Sequence, residues 1–203
     1  VTAHELCHAL QDHNFDLELF MQADMEKVRN NGDAATARQA LVEGEATWVM
    51  TAWMLMNQLG YGEVDPVSGM VSMTLKAQAG IGYEGIVALS GANRGLEGGA
   101  GIPGMGDFDL EEHPRFFVQQ LLATYIQGAV MIDYLRSTGG WDMVSKHYYE
   151  NPIESTEQVL HPEKLVGEQR DSPVEVRVMG PERSLCEGWE MVEQDVMGEL
   201  GIR

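Results

Sequence analysis

The residues best suited to chemistry stand close together near the start of the chain, in the order His4-Glu-Leu-Cys-His8. Residues four apart lie on one face of a helix, so both imidazoles can bind one metal ion. Glu5 lies about 100° from His4 and about 60° from His8 around a helix, within reach of a water on that metal. Zinc held by imidazoles and a carboxylate keeps an open position and lowers the pKa of the water bound there. The pattern predicts metal-assisted hydrolysis, with His4 and His8 as zinc ligands and Glu5 as the general base.

A third protein ligand is required, and it must come from another segment. Gln11 and Asn14 occupy the positions at which a HExxHxxGxxH motif has glycine and histidine. Glu43 and Glu45 stand in an otherwise apolar segment, where burying a carboxylate is costly without a charge partner. They point about 200° apart on a helix, so only one can face the metal, and the spacing leaves open which. Glu187 is a weaker candidate.

Other side chains are candidates for supporting roles. Asp12, one turn beyond the second histidine, is expected to accept a hydrogen bond from an imidazole N–H of a metal ligand. His161 is expected to act as the catalytic donor that stabilises an oxyanion opposite the metal. The alternative is that His161 only caps a helix C-terminus, where a partly positive imidazole is favourable. Tyr125, Tyr148 and Tyr149 are further candidates for the donor.

Two alternatives compete with the hydrolytic site. The motif could be a chance match on an amphipathic helix whose core side carries Ala3, Leu6, Cys7 and Leu10. A di-iron carboxylate bundle also uses Glu-x-x-His, but it needs two such motifs, and the sequence has no second one. Cys7 is expected to be a packing residue, not a ligand.

Periodicity and turn signals indicate a largely helical chain. In the first half we expect one or two helices over residues 1–29, a turn cluster at 30–33 and a helix over 34–59 that is buried nearly all round. A glycine-rich loop with a short element near 67–75 is expected over about 60–110. In the second half we expect helices over 114–139 and 141–149, a short capped helix from Ser155 to about His161, a strand over 173–178 and a last helix over 182–200. His147 is expected on a helix surface, and His13 and His113 receive no role.

Composition limits the classes of function. A chain of 203 residues with 44% hydrophobic residues is long enough for one domain, residues 1–203. The formal net charge of −19 disfavours nucleic acid and anionic membrane surfaces as partners. The two cysteines form no CxxC pair, and no stretch of 18 apolar residues predicts a membrane span. Because the sequence starts at Val1 inside an expected helix, we interpret it as a fragment.

The order His4-Glu-Leu-Cys-His8 followed by Glu43-Gly-Glu-Ala46 resembles the gluzincin metallopeptidases of the thermolysin-like superfamily. The resemblance implies that Glu43 is the third zinc ligand and that the substrate is a peptide or protein. It also implies a mainly α, zincin-like helical domain without its N-terminal sheet part. The segments 4–12, 40–46 and 155–164 are similar to a group of bacterial proteins described as zinc metallopeptidases, whose members are often exported.

A second hypothesis is a catalytically inactive, zincin-derived structural or interaction subunit of a larger assembly. Its acidic surface and glycine-rich segment would then contact a protein partner. The two hypotheses differ in what lies above the metal site. An enzyme requires an open cleft there, whereas a structural subunit has that position filled by a side chain or covered by a partner.

Overall fold

A computed structural model describes residues 2–22, 31–93, 114–174 and 195–202, and these ranges are mainly helical with no β-strand. The expected mainly α class is therefore confirmed. The helices are α1 (Thr2–Phe15), α2 (Leu17–Gln22), α3 (Gly32–Leu59), α4 (Asp65–Asn93), α5 (Arg115–Tyr149), α6 (Thr156–Leu160) and α7 (Glu199–Ile202), with short 3₁₀ helices at Pro162–Leu165 and Gly167–Gln169. None of the described helices is long and apolar enough to cross a membrane.

The core is built around the crossing of α3 and α5. A Cβ atom added to Gly44 would lie 2.7 Å from the Gly128 Cα, and one added to Gly128 would overlap the Ala40 carbonyl oxygen. The two glycines therefore allow the helix backbones to touch. Trp48 is buried at the same interface, where its indole N–H donates to Asp133 over 3.1 Å.

Local signals define the ends of α3 as the sequence predicts. The Asn31 side chain accepts from the Ala34 N–H at the N-terminus, and Gly60 ends the helix in the left-handed conformation with φ 72°. The expectation that this helix is buried nearly all round is wrong for its last third, because Trp53 is 54% exposed and Leu59 is 46% exposed.

The buried face of α1 is not the apolar one. His4, Cys7 and Gln11 are buried, whereas Leu6 and Leu10 are about 60% exposed. The expectation that the leucines pack in the core is wrong. Polar side chains can take the buried face because α3 and α5 supply hydrogen-bond partners that offset the cost of removing them from water.

The structure differs most from the sequence prediction at helix α4. The sequence predicts a glycine-rich loop over about 60–110 with a short element near 67–75, whereas residues Asp65–Asn93 form a helix with a break at Gly82, whose φ is 69°. Val67, Val71 and Leu75 recur at helical spacing and are fully buried in the core shared with α3 and α5. This packing outweighs the low helix propensity of the glycines. Residues 94–113 lie outside the described residues.

Two further turn signals are confirmed. Gly139 and Gly140 break the helical conformation inside α5, Gly140 with φ 70°, where the sequence predicts the end of one helix and the start of the next. Ser155 caps α6 by accepting from the Gln158 N–H. The return contact of a capping box differs, because the Gln158 side chain accepts from the Glu154 N–H instead.

The expectations for the C-terminal region are met least well. Pro173 and Val174 are not in a strand, and residues 175–178 of the expected strand lie outside the described residues. Of the expected helix over 182–200, residues 195–198 are irregular and only Glu199–Ile202 forms a helix; residues 182–194 are not described. The backbone of Asp33 donates to the Val196 carbonyl, so residues 195–198 pack on the start of α3 instead of continuing as a helix.

Candidate metal centre

Three potential ligand atoms meet where α1 packs against α3. The Nε2 atoms of His4 and His8 are 3.1 Å apart. The Glu43 Oε2 atom lies 3.2 Å from His4 Nε2 and 3.3 Å from His8 Nε2. Within the described part of the chain, these three residues are the one group of potential metal ligands at such spacing. The structure thus brings together the ligand set expected from the motifs.

Each helix contributes to this arrangement in a different way. The four-residue spacing on α1 places both imidazoles on one side. Glu43 directly precedes Gly44, at which α3 and α5 touch. The contact between these two helices therefore fixes the position of the Glu43 carboxylate. Tyr125 stands three residues before Gly128 on α5, and its ring stacks on His4 with centroids 6.0 Å apart.

The charges within the cluster favour ionised Glu43. Burial by itself raises the pKa of this carboxyl group, but hydrogen bonds from His4 and His8 and their positive charges outweigh it and lower the pKa to about 2. The hydrogen bond with Glu43 raises the pKa of His8, against the opposing effect of burial. Glu43 is therefore an anion at neutral pH, as a carboxylate ligand must be.

Glu5, the expected general base, is exposed at the edge of the cluster. Its negative charge contributes to the raised pKa values of His8 and Tyr125, so its carboxylate lies in the neighbourhood of these side chains. The His8 side chain is 24% exposed and the Glu43 side chain 18% exposed, so the cluster is partly accessible to solvent.

The structure places the expected oxyanion donor elsewhere. His161 ends α6, where its Nε2 lies 3.3 Å from a Glu199 oxygen and its Nδ1 lies 3.8 Å from Glu163. These contacts tie the imidazole to the C-terminal segment. Tyr125 stands next to the cluster instead, and burial, followed by the charges of Glu43 and Glu5, raises the pKa of its hydroxyl group. A protonated hydroxyl can donate a hydrogen bond at neutral pH.

The role expected for Asp12 falls to its neighbour Gln11. The exposed Asp12 side chain accepts from the Leu17 N–H over 3.2 Å at the start of α2. Gln11 is 2% exposed, and its Oε1 lies 2.8 Å from the Nδ1 of His8. Helix geometry explains the exchange, because position 11 lies on the buried side between α1 and α3 whereas position 12 points to solvent.

The other candidates have different surroundings. Glu45 accepts from Gln11 over 2.9 Å and from the Tyr148 hydroxyl over 2.7 Å. Tyr149 is exposed, Glu187 lies outside the described residues, and His147 is buried instead of at the surface. Burial, followed by the charge of Glu45, raises the pKa of Cys7 to about 12, which agrees with a packing role.

A cavity of about 770 Å³ lies on the other flank of α1. Its lining combines exposed apolar side chains, such as Leu6, Leu10 and Trp53, with polar ones that include Gln11 and Glu45. His4, His8 and Glu43 are not part of the lining, so the cavity and the cluster are separate features.

The chain matches no protein-family model, no curated protein and no solved structure.

Proposed function

We propose that this protein is a zinc-dependent hydrolase of peptide bonds. The main support for this proposal is the near-equilateral arrangement of three atoms, His4 Nε2, His8 Nε2 and Glu43 Oε2, which are 3.1 to 3.3 Å apart. A tetrahedral zinc site with bonds of about 2.0–2.1 Å has ligand separations of about 3.3–3.4 Å, so small shifts suffice to accept the ion. Two imidazoles and a carboxylate are also a common ligand set of catalytic zinc.

The residues around the cluster fit the other roles that hydrolysis of a peptide bond requires. Zinc supplies a Lewis acid and a water of lowered pKa. With zinc held by His4, His8 and Glu43, Glu5 would serve as the general base, because its exposed carboxylate lies near enough to the cluster for its charge to act on His8. Tyr125, whose ring stacks on His4, would donate a hydrogen bond from its hydroxyl group to the developing oxyanion. The geometry by itself supports metal-assisted hydrolysis, and the resemblance of the motifs to gluzincins supports a peptide or protein as substrate.

A catalytically inactive interaction subunit is the second candidate, and one observation favours it. The cavity beside α1 exposes Leu6, Leu10 and Trp53 to solvent, and large exposed apolar patches frequently mark protein interfaces. This surface is compatible with an active enzyme as well, because it lies away from the metal cluster.

Zinc content is the first test of the proposal. Elemental analysis of the purified chain is expected to give about one zinc per chain for the wild type and for Glu45→Gln, and far less for Glu43→Gln. Glu45→Gln is the matched control, since both changes remove one negative charge from the same helix. A folded wild-type chain that binds no added zinc contradicts the proposal.

Peptidase activity is the second test. Glu5→Gln is expected to retain zinc and to lose the cleavage of a mixture of unstructured peptides, since the general base is removed but no ligand is. A zinc-loaded wild type with no activity above that of Glu5→Gln would favour the interaction subunit.

A further inference from the structure

We propose that Gln11 is a positioning residue that holds His8 in the tautomer required of a zinc ligand, and that Glu45 and Tyr148 fix the orientation of the Gln11 amide. This inference depends on the proposed zinc site for its functional meaning. The hydrogen bonds that support it belong to the protein alone.

The surroundings of Gln11 determine which end of its amide is the nitrogen. One end lies 3.0 Å from the Val42 carbonyl oxygen and 2.9 Å from Glu45 Oε2. The Val42 carbonyl oxygen can only accept a hydrogen bond, so this end must be the NH₂ group. It also lies 3.0 Å from the Tyr148 hydroxyl oxygen, whose own hydrogen is donated to Glu45.

The orientation of the amide determines the tautomer of His8. With the nitrogen facing Glu45, the Gln11 Oε1 atom faces His8 Nδ1 at 2.8 Å. A carbonyl oxygen cannot donate, so Nδ1 must carry the hydrogen. The imidazolium form donates from both nitrogens, to Gln11 from Nδ1 and toward Glu43 from Nε2, whereas the neutral ring with its hydrogen on Nδ1 leaves the Nε2 lone pair for zinc coordination.

Burial strengthens the hydrogen bonds at the centre of this network. Gln11 is 2% exposed and Tyr148 6% exposed, whereas Glu45 is half-buried and lines the cavity beside α1. The Tyr148 ring also stacks on Phe15 with centroids 4.2 Å apart, which holds its hydroxyl toward Glu45. Helix α3 thus contributes to the cluster twice, directly through Glu43 and indirectly through the hydrogen bond between Glu45 and Gln11.

The experiment combines zinc affinity with the tautomer of His8. Gln11→Leu removes both amide functions at similar volume, and loss of such a supporting contact is expected to weaken zinc binding by about 10 to 100-fold. Asp12→Asn is the matched control on the exposed side of α1, with wild-type affinity expected. Glu45→Ala removes the oxygen that accepts from Gln11, so its zinc affinity should resemble that of Gln11→Leu.

The tautomer is measured by ¹⁵N NMR of the imidazoles in the zinc-free protein at alkaline pH, where a histidine is neutral. His8 is expected as the Nδ1–H form in the wild type and as a mixture in Gln11→Leu. A wild-type His8 in the Nε2–H form overturns the inference, and this measurement does not depend on whether any variant folds. Equal zinc affinities for wild type and folded Gln11→Leu overturn it as well. Absence of zinc binding by a wild type with Nδ1–H His8 refutes the proposed function but not the hydrogen-bond network.

Discussion

Replacement of Gly128 by alanine is expected to destabilise the protein, whereas the same replacement at Gly69 is expected to stabilise it. A Cβ atom at Gly128 would overlap the Ala40 carbonyl oxygen and lie 3.0 Å from its carbon and 3.1 Å from the Gly44 Cα. These are backbone atoms of α3, so the conflict is relieved only if the two helices move apart. Gly69 lies within α4, and a Cβ there has nothing within 4 Å.

The magnitudes follow from two opposing effects. Alanine gains up to about 1 kcal/mol over glycine in a helix interior at either position. Overpacking of a tight contact costs about 1–3 kcal/mol, and a conflict with backbone atoms belongs at the upper end of that range. The expected changes in the free energy of unfolding are a loss of about 1–2 kcal/mol for Gly128→Ala and a gain of about 0.5–1 kcal/mol for Gly69→Ala.

Urea unfolding followed by circular dichroism measures both variants in the presence of chelator, so that zinc binding does not contribute. A Gly128→Ala variant as stable as Gly69→Ala would show that the two helices do not touch at this crossing. Since Glu43 adjoins the contact, Gly128→Ala is also expected to bind zinc more weakly than Gly69→Ala.

Three further predictions concern the cluster and the surface of α1. Because the pKa of His8 is raised by Glu43, the zinc-free protein should gain stability from His8 fully below about pH 6.5 and lose that gain as the pH rises through the raised value. Urea unfolding of wild type and His8→Gln should therefore differ most at acidic pH, and a difference that grows toward alkaline pH contradicts this. Tyr125→Phe is expected to lower kcat by about 10² to 10³-fold with zinc content unchanged, whereas His161→Ala should leave kcat unchanged; equal effects would reject Tyr125 as the donor. Leu10→Asn on the exposed side of α1 should alter the free energy of unfolding by less than about 0.5 kcal/mol. The buried control Leu41→Ala should lower it by about 2–5 kcal/mol. A large effect of Leu10→Asn would mean that this side of α1 is covered.

Much of the local structure could be predicted because its causes are local. Asn31 and Ser155 cap the helices that follow them, and Gly140 breaks α5, since each acts through its own backbone or through amides within three residues. The full length of α4 could not be predicted with the same rules, which indicate only a short element near 67–75. Its glycines disfavour a helix locally, and the burial of Val67, Val71 and Leu75 that stabilises it depends on α3 and α5.

The candidate site also has one part that local sequence predicts and another part that depends on tertiary contacts. The sequence indicated His4 and His8 as a pair, because their separation is a property of one helix. It left Glu43 and Glu45 open until the resemblance to gluzincins favoured Glu43, which is the carboxylate that the structure brings to the histidines. The sequence contained no signal that distinguished Gln11 from Asp12 as the partner of an imidazole.

The sequence by itself therefore determined which helix carries the two imidazoles and that the chain is mainly helical. Only the tertiary structure decided that the polar side of α1 is buried, that Gln11 supports His8, and that Tyr125 instead of His161 lies beside the cluster. The physical reason is that helical periodicity arranges neighbours along one helix, whereas the cost of burying a polar face depends on partners far away in the chain. For Gln11 those partners are Glu45 and Tyr148, 34 and 137 residues away, and they meet only when α1, α3 and α5 pack together.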